Sequence, residues 1–180
     1  MSNIASVSWG DHLVFGEGEG RLHTPEAVAR RMETWRDELG AASLHWRVPR
    51  AMIPGRYHKA PGYPDTIERR SDIEWDFLRL APELAHQHGL KAYLYVSIFD
   101  EGFPLAPPHV RAVSYHNAMH GQHISWQSDF SRKYPNYALV DRTGEMRQWG
   151  VLCLAYQEVR EHFLRRFSGW LEGGDWDGLI

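Results

Sequence analysis

Asp100-Glu101-Gly102 sets two carboxylates at the end of the clearest apolar extended run in the chain, Leu90 to Phe99. Cleaving a glycosidic bond needs a carboxylic acid to protonate the leaving oxygen and a carboxylate to support an oxocarbenium-like centre. Adjacent residues on a strand point apart, so Asp100 and Glu101 do not form that pair by themselves. Both suit hydroxyl binding. Asp100 is the one weak catalytic candidate, and Glu101 reads equally well as a solvated loop acid.

Two further sets of polar and aromatic residues stand where extended runs end. Trp9, Asp11 and His12 follow the first, and His45, Trp46 and Arg47 close the second. Strand alternation sends His45 and Arg47 to one side and Trp46 to the other. An inward guanidinium at a strand end is costly to bury unless it meets an anion or a ligand. Asp100 is a reasonable partner for Arg47 across neighbouring strands. That pair serves a structural role as readily as a functional one. His12 and His45 are candidate hydroxyl ligands.

Indole faces stack on the C–H faces of pyranose rings while the indole N–H bonds a hydroxyl. Trp9 and Trp46 are candidate platforms, and Trp126 and Trp149 also fall at strand ends or in long loops. Trp35, Trp75 and Trp170 fall on helical patterns and read as packing. His116, His120 and His123 are close in sequence, and on a helix the first two would share a face. No carboxylate lies between them, so a polar loop is the better reading and no metal ligand set is assigned. Gly16-Glu17-Gly18-Glu19-Gly20 lacks the spacing of a dinucleotide loop, and its glutamates would repel phosphate. Neither a nucleophile elbow nor a P-loop is present. Cys153, between two leucines, reads as a small apolar residue.

The elements that must hold these residues repeat one pattern: helix, glycine, strand. The first helix is expected from Pro25 to Leu39, capped by Thr24, with Val28, Met32, Trp35 and Leu39 inward. Gly40 then turns the chain into a strand over Ala41–Val48. A second helix is expected from Ser71, where Glu74 completes a capping box. Pro82 should kink or restart it. Gly89 ends it before the strand over Leu90–Phe99. A third helix over Gln157–Leu171 is stopped by Gly173 and Gly174 before a strand at Trp176–Ile180. An opening strand covers Ala5–Trp9. A hairpin is expected from Tyr137–Val140 and Glu145–Trp149 around Asp141-Arg142-Thr143-Gly144.

Alternating strands and helices imply an α/β fold with about four parallel strands and three helices. The long stretches, Gly10–His23, Pro49–Arg70 and about 100–156, all follow strands. In α/β folds those loops gather at the carboxyl end of the sheet, where ligands bind. A (β/α)₈ barrel takes about 250 residues and at least about 200. The 180 residues are therefore expected to be the N-terminal half of one barrel domain, cut in its fourth strand, with a long insert after the third.

Composition narrows the classes. The chain is 43% hydrophobic and 24% charged with net charge −3, which gives no basic footprint for nucleic acid. A single cysteine excludes an intrachain disulfide and a cysteine-based zinc site. The first ten residues lack a signal-peptide pattern, and no apolar run nears the roughly 20 residues of a membrane span. A cytoplasmic protein with neither cofactor nor metal is expected.

Tyr134-Pro135-Asn136-Tyr137 with Asp141-Arg142-Thr143-Gly144, Leu152-Cys153-Leu154-Ala155-Tyr156-Gln157-Glu158-Val159-Arg160, and Trp176-Asp177-Gly178 together resemble the family-10-like glycosyl hydrolase TIM barrels. The strand Tyr93–Phe99 with Asp100-Glu101-Gly102 is similar to their third strand. The likeness covers the last half of the chain in motif and the first half in architecture. Gln157 stands where the family pattern has proline. The resemblance implies a glycoside hydrolase with a carbohydrate substrate. It also implies that the fourth-strand aspartate and the later acids lie beyond Ile180, in the other half of the barrel, so the fragment alone would be inactive. A non-catalytic sugar-binding barrel and a metal-dependent barrel hydrolase are the alternatives.

Overall fold

The computed structural model describes residues 3–7, 22, 24–48, 58–59, 75–103, 124–145 and 147–180. They fall into two compact units. The first is built from Met1–Arg50, Thr66–Val96 and Arg165–Ile180, the second from Ala51–Asp65 and Ser97–Leu164.

The first unit holds a four-stranded sheet. Its strands are β1 (Asn3–Val7), β2 (Ala41–Arg47), β4 (Lys91–Tyr95) and β9 (Gly178–Leu179), adjacent in that order and all parallel. The chain therefore adds one strand at a time in one direction, as expected from its repeated pattern. β1 starts two residues earlier than its sequence pattern predicts, and the expected end at Trp9 lies outside the described residues. Strands β1, β2 and β4 bury alternate residues. Ala5 and Val7, Leu44 and Trp46, and Ala92 and Leu94 form the core face. Burying an aliphatic side chain of this size contributes about 1.5–3 kcal/mol.

Helices α1 (Pro25–Asp37) and α2 (Phe77–Gln87) supply the other side of that core. Thr24 caps α1 by accepting the Ala27 N–H, and Ala27, Val28 and Met32 are buried. Leu39, expected inward, is 57% exposed, because the helix ends at Asp37 and the turn at Gly40 (φ 62°) carries Leu39 outward. Asp76 caps α2 by accepting the Arg79 N–H. The Ser71/Glu74 capping box lies outside the described residues.

Pro82 does not restart the helix; α2 runs through it. Proline has no N–H, so the carbonyl four residues earlier, that of Leu78, loses its helical donor. The Trp176 indole N–H supplies the replacement at 2.8 Å. Gly174 also lies against this carbonyl. A Cβ there would stand 1.9 Å from the Leu78 oxygen, so only glycine admits so close an approach.

The second unit is antiparallel. Strands β3 (His58–Lys59), β6 (Ile124–Gln127) and β5 (Gly102–Phe103) form a three-stranded sheet in that order. This sheet lacks a signal in the sequence, since its strands are two to four residues long and far apart in the chain. A short helix α3 (Asp129–Lys133), capped by Ser128, follows. The expected hairpin is present as β7 (Ala138–Val140) and β8 (Arg147–Leu152), with Gly144 at φ 77° closing the turn. Helix α4 (Gln157–Leu171) has its expected bounds; it buries Val159 and Phe163 in its second-unit part and Trp170 in its part from Arg165 on, which belongs to the first unit. Phe130 stacks on His162 with ring centroids 3.9 Å apart, and Tyr134 and Tyr137 pack beside Phe130.

Candidate functional site

Opposite its helix-covered face, the first unit's sheet carries a different set of side chains. Register aligns Ser6, His45, Tyr93 and Gly178 in one row across all four strands. Nearer the carboxyl end, Arg47 pairs with Tyr95. Ile180 follows on the next strand, its carbonyl accepting the Val96 N–H. The parity that buries Leu44, Trp46, Ala92 and Leu94 turns these residues the other way.

Contacts fix their geometry. The His45 ring meets Tyr93 edge-on, with centroids 5.6 Å apart and planes at 80°. The Arg47 guanidinium lies 5.6 Å from the Tyr95 ring centroid, within cation–π range. Gly178 leaves room for the Tyr93 ring, whose edge lies 3.5 Å from where a Cβ would be. His45, Arg47 and Tyr93 are half-buried, and Tyr95 is 37% exposed. The arrangement offers planar donors, an imidazole and two phenols at the carboxyl end of a parallel sheet, which is chemistry for binding a polar ligand.

Neither protein-family models nor curated proteins give a match to this chain. The reading of the site therefore rests on its own geometry and on the motif resemblance.

The residues singled out from the sequence separate in three ways. His45 and Arg47 stand together on the sheet's polar face. Trp46 does not join them. It is fully buried, stacked on Phe77 (centroids 5.9 Å, 18°) and edge-on to Trp75 (5.7 Å, 88°). The even parity of Trp46 turns it into the helix-packed core, so no ring face is left for a sugar. Its contribution is packing, with each aromatic pair adding about 0.5–1.5 kcal/mol beyond area burial. Trp9 and His12 lie outside the described residues, as do His116, His120 and His123.

Asp100 and Glu101 belong to the second unit. Asp100 is half-buried. Glu101 is fully buried and is no solvated loop acid. Its N–H donates to the Gly150 carbonyl at 3.0 Å, and its own carbonyl accepts the Ser128 N–H at 3.0 Å. The Ser131 hydroxyl also donates to that carbonyl, at 3.4 Å. The backbone of Glu101 thus ties β8 to the start of α3. Cys153 is half-buried, and its N–H donates to the Tyr137 carbonyl at 2.8 Å. Among the described residues, no group of three metal-ligating side chains converges.

Tyr93 and Tyr95 escaped sequence reasoning. Their signal was present: in Lys91-Ala92-Tyr93-Leu94-Tyr95 the tyrosines alternate with small and aliphatic residues, which marks a second face distinct from the core.

A second polar cluster occupies the other end of this sheet. His86 Nε2 lies 2.9 Å from Asp177 Oδ2, and His86 Nδ1 lies 3.4 Å from Asp175 Oδ2. The same Asp177 oxygen accepts the Ala92 N–H at 2.7 Å. The hydrogen bond from His86, then that from the Ala92 backbone, holds the Asp177 carboxyl below its usual range. This cluster joins the end of α2 to the amino ends of β4 and β9.

Proposed function

We propose that this chain forms part of a carbohydrate-active (β/α)₈ barrel, a glycoside hydrolase acting on O-glycosidic bonds. The observation that carries the reading is the sheet itself: four parallel strands in sequential order, helices on one face, and His45, Arg47, Tyr93 and Tyr95 on the other. In a barrel that second face turns inward, and its carboxyl end is where substrate binds. The motif resemblance to family-10-like glycosyl hydrolases supports the same reading.

Arg47 and His45 would orient sugar hydroxyls by hydrogen bonding, with Tyr93 and Tyr95 as amphipathic walls. Hydrolysis further requires two carboxyl groups about 5–10 Å apart across the scissile bond. We assign that pair to acids outside the described rows, in keeping with the resemblance.

The test is hydrolysis of a panel of nitrophenyl glycosides by the protein carrying the complete barrel. Release of nitrophenolate from at least one α- or β-glycoside is expected. Binding of the parent sugars without turnover would instead support a sugar-binding barrel that lacks the acids. An absence of both binding and turnover across the panel overturns the reading.

A further inference from the structure

Phe130, Tyr134, Tyr137 and Tyr156 make a continuous run of ring contacts within the second unit. The Tyr134 ring lies 5.0 Å from that of Phe130 and 5.7 Å from that of Tyr137, centroid to centroid. Tyr137 lies 4.8 Å from Tyr156, with the ring planes at 43°. The first three residues are half-buried, whereas Tyr156 ends the run 44% exposed. Mutual packing accounts for the half-buried rings. It leaves much of the Tyr156 side chain open to a ligand.

The backbone fixes where that ring stands. The Cys153 N–H donates to the Tyr137 carbonyl at 2.8 Å, and the Tyr156 N–H closes a turn on the Cys153 carbonyl at 3.3 Å. Arg160, in the first turn of α4, donates through Nη1 to the carbonyls of Leu154 at 2.7 Å and Ala155 at 2.8 Å. An aromatic side chain has few torsions, so a ring held this way loses little freedom when a ligand arrives. An acceptor stands beside it. Glu158, exposed at the start of α4, accepts a hydrogen bond from the Tyr137 hydroxyl. Burial, then the Glu158 charge, raises the Tyr137 phenol above its ordinary value. A carboxylate accepts about four hydrogen bonds, so holding one phenol leaves Glu158 able to take further hydroxyls.

A flat apolar ring beside a charged acceptor matches a pyranose, which has a C–H face and a hydroxyl rim. Tyrosine faces also draw cations, and here the chain supplies its own: Lys133 Nζ lies 5.2 Å from the Tyr134 ring centroid. Resting on the carbohydrate reading above, we infer that Tyr156 and Glu158 form a sugar-binding site in the second unit. The pyranose lays its C–H face on the Tyr156 ring and donates a hydroxyl to the Glu158 carboxylate. Tyr137, which touches both residues, holds them together.

The probes are cellotriose, maltotriose, xylotriose and chitotriose, titrated by calorimetry into the full chain. At least one should bind. For that sugar, Tyr156→Ala should weaken affinity about threefold to tenfold, the loss of one stacking contact. Tyr156→Phe, which keeps the ring, should stay within about twofold of the wild type. Glu158→Gln, which keeps the shape and removes the charge, should weaken binding about threefold. A direct reading does not depend on the alanine variant folding. In wild-type protein with labelled tyrosines, nuclear Overhauser contacts should join sugar C–H protons to the Tyr156 ring, whose signals are those missing from Tyr156→Phe. Sugar binding without those contacts, or with affinity untouched by Tyr156→Ala, overturns the inference and leaves the carbohydrate reading intact. Tetramethylammonium contacting the ring where no sugar does overturns the assignment to a sugar. If none of the trisaccharides binds, the inference falls, and the nitrophenyl glycoside panel decides the carbohydrate reading separately.

Discussion

The indole N–H of Trp176 donates to the carbonyl of Leu78, 98 residues away in sequence, at 2.8 Å. That carbonyl is the one Pro82 strips of its helical donor. The interior proline of α2 and the tryptophan entering β9 are thus two halves of one arrangement, and Gly174 makes room for it. A part-buried carbonyl without a partner costs about 1–3 kcal/mol.

Trp176→Phe should therefore destabilise the protein by about 1–3 kcal/mol. Pro82→Ala restores an N–H for the Leu78 carbonyl. In the Trp176→Phe background it should recover part of that loss, and more than it adds to the wild type. Urea denaturation of the four proteins in a double-mutant cycle measures the coupling. Strict additivity would show that the indole N–H does not compensate the proline.

Glycines in and after α4 should diverge under the same substitution. Gly174→Ala would put a methyl 1.9 Å from the Leu78 oxygen, a backbone atom that cannot swing aside. A loss of about 1–3 kcal/mol is expected from the overpacking. At Gly169, inside α4, an added Cβ would meet nothing within 4 Å. Gly169→Ala should raise stability by about 0.5–1 kcal/mol through helix propensity. Thermal melts of both variants check the opposite signs.

Trp46 separates core from site. Trp46→Ala should cost about 3–5 kcal/mol, as removal of a buried indole does. Trp46→Phe should be milder and should leave affinity for any bound glycoside unchanged, because the ring faces Phe77 and Trp75. A folded Trp46→Phe protein with selectively weakened sugar binding would place the indole at the ligand after all.

Acid should loosen the amino end of the sheet. The Asp177 carboxyl titrates below its ordinary 3.8 because of His86 and the Ala92 N–H. A depressed carboxyl contributes stability that is present above the unfolded value and is lost as pH falls through the folded one. Unfolding free energy should therefore fall below about pH 4. Asp177→Asn should flatten that limb while lowering stability near neutrality. Chemical denaturation from pH 2.5 to 7 compares the slopes, and identical slopes would remove Asp177 from the account.

Local pattern was enough to read the first unit's skeleton. Thr24, Pro25 and Gly40 bound α1 because caps and left-handed turns depend on a few adjacent residues. The bounds of α4 and the existence of the β7–β8 hairpin were legible for the same reason, although β8 runs over Arg147–Leu152 and not Glu145–Trp149. Alternation put His45 and Arg47 on one face and Trp46 on the other. That repeat of helix, glycine and strand also implied parallel pairing in sequential order, since crossovers of this length leave few alternatives.

Tertiary structure decided which face met the helices. Alternation assigns Trp46 to one side of β2 and His45 to the other, and it is equally satisfied by either side facing the core. Only packing by Phe77 and Trp75 makes Trp46 core and leaves His45, Arg47, Tyr93 and Tyr95 as the polar face. The same holds for Pro82, whose break signal is local while its remedy, Trp176, arrives from the far end of the chain. Glu101 reads as a loop acid by composition, and its burial depends on Gly150, Ser128 and Ser131 closing around its backbone. Short-range chemistry is written in neighbouring residues, whereas burial and hydrogen-bond satisfaction are set by whatever the fold brings alongside.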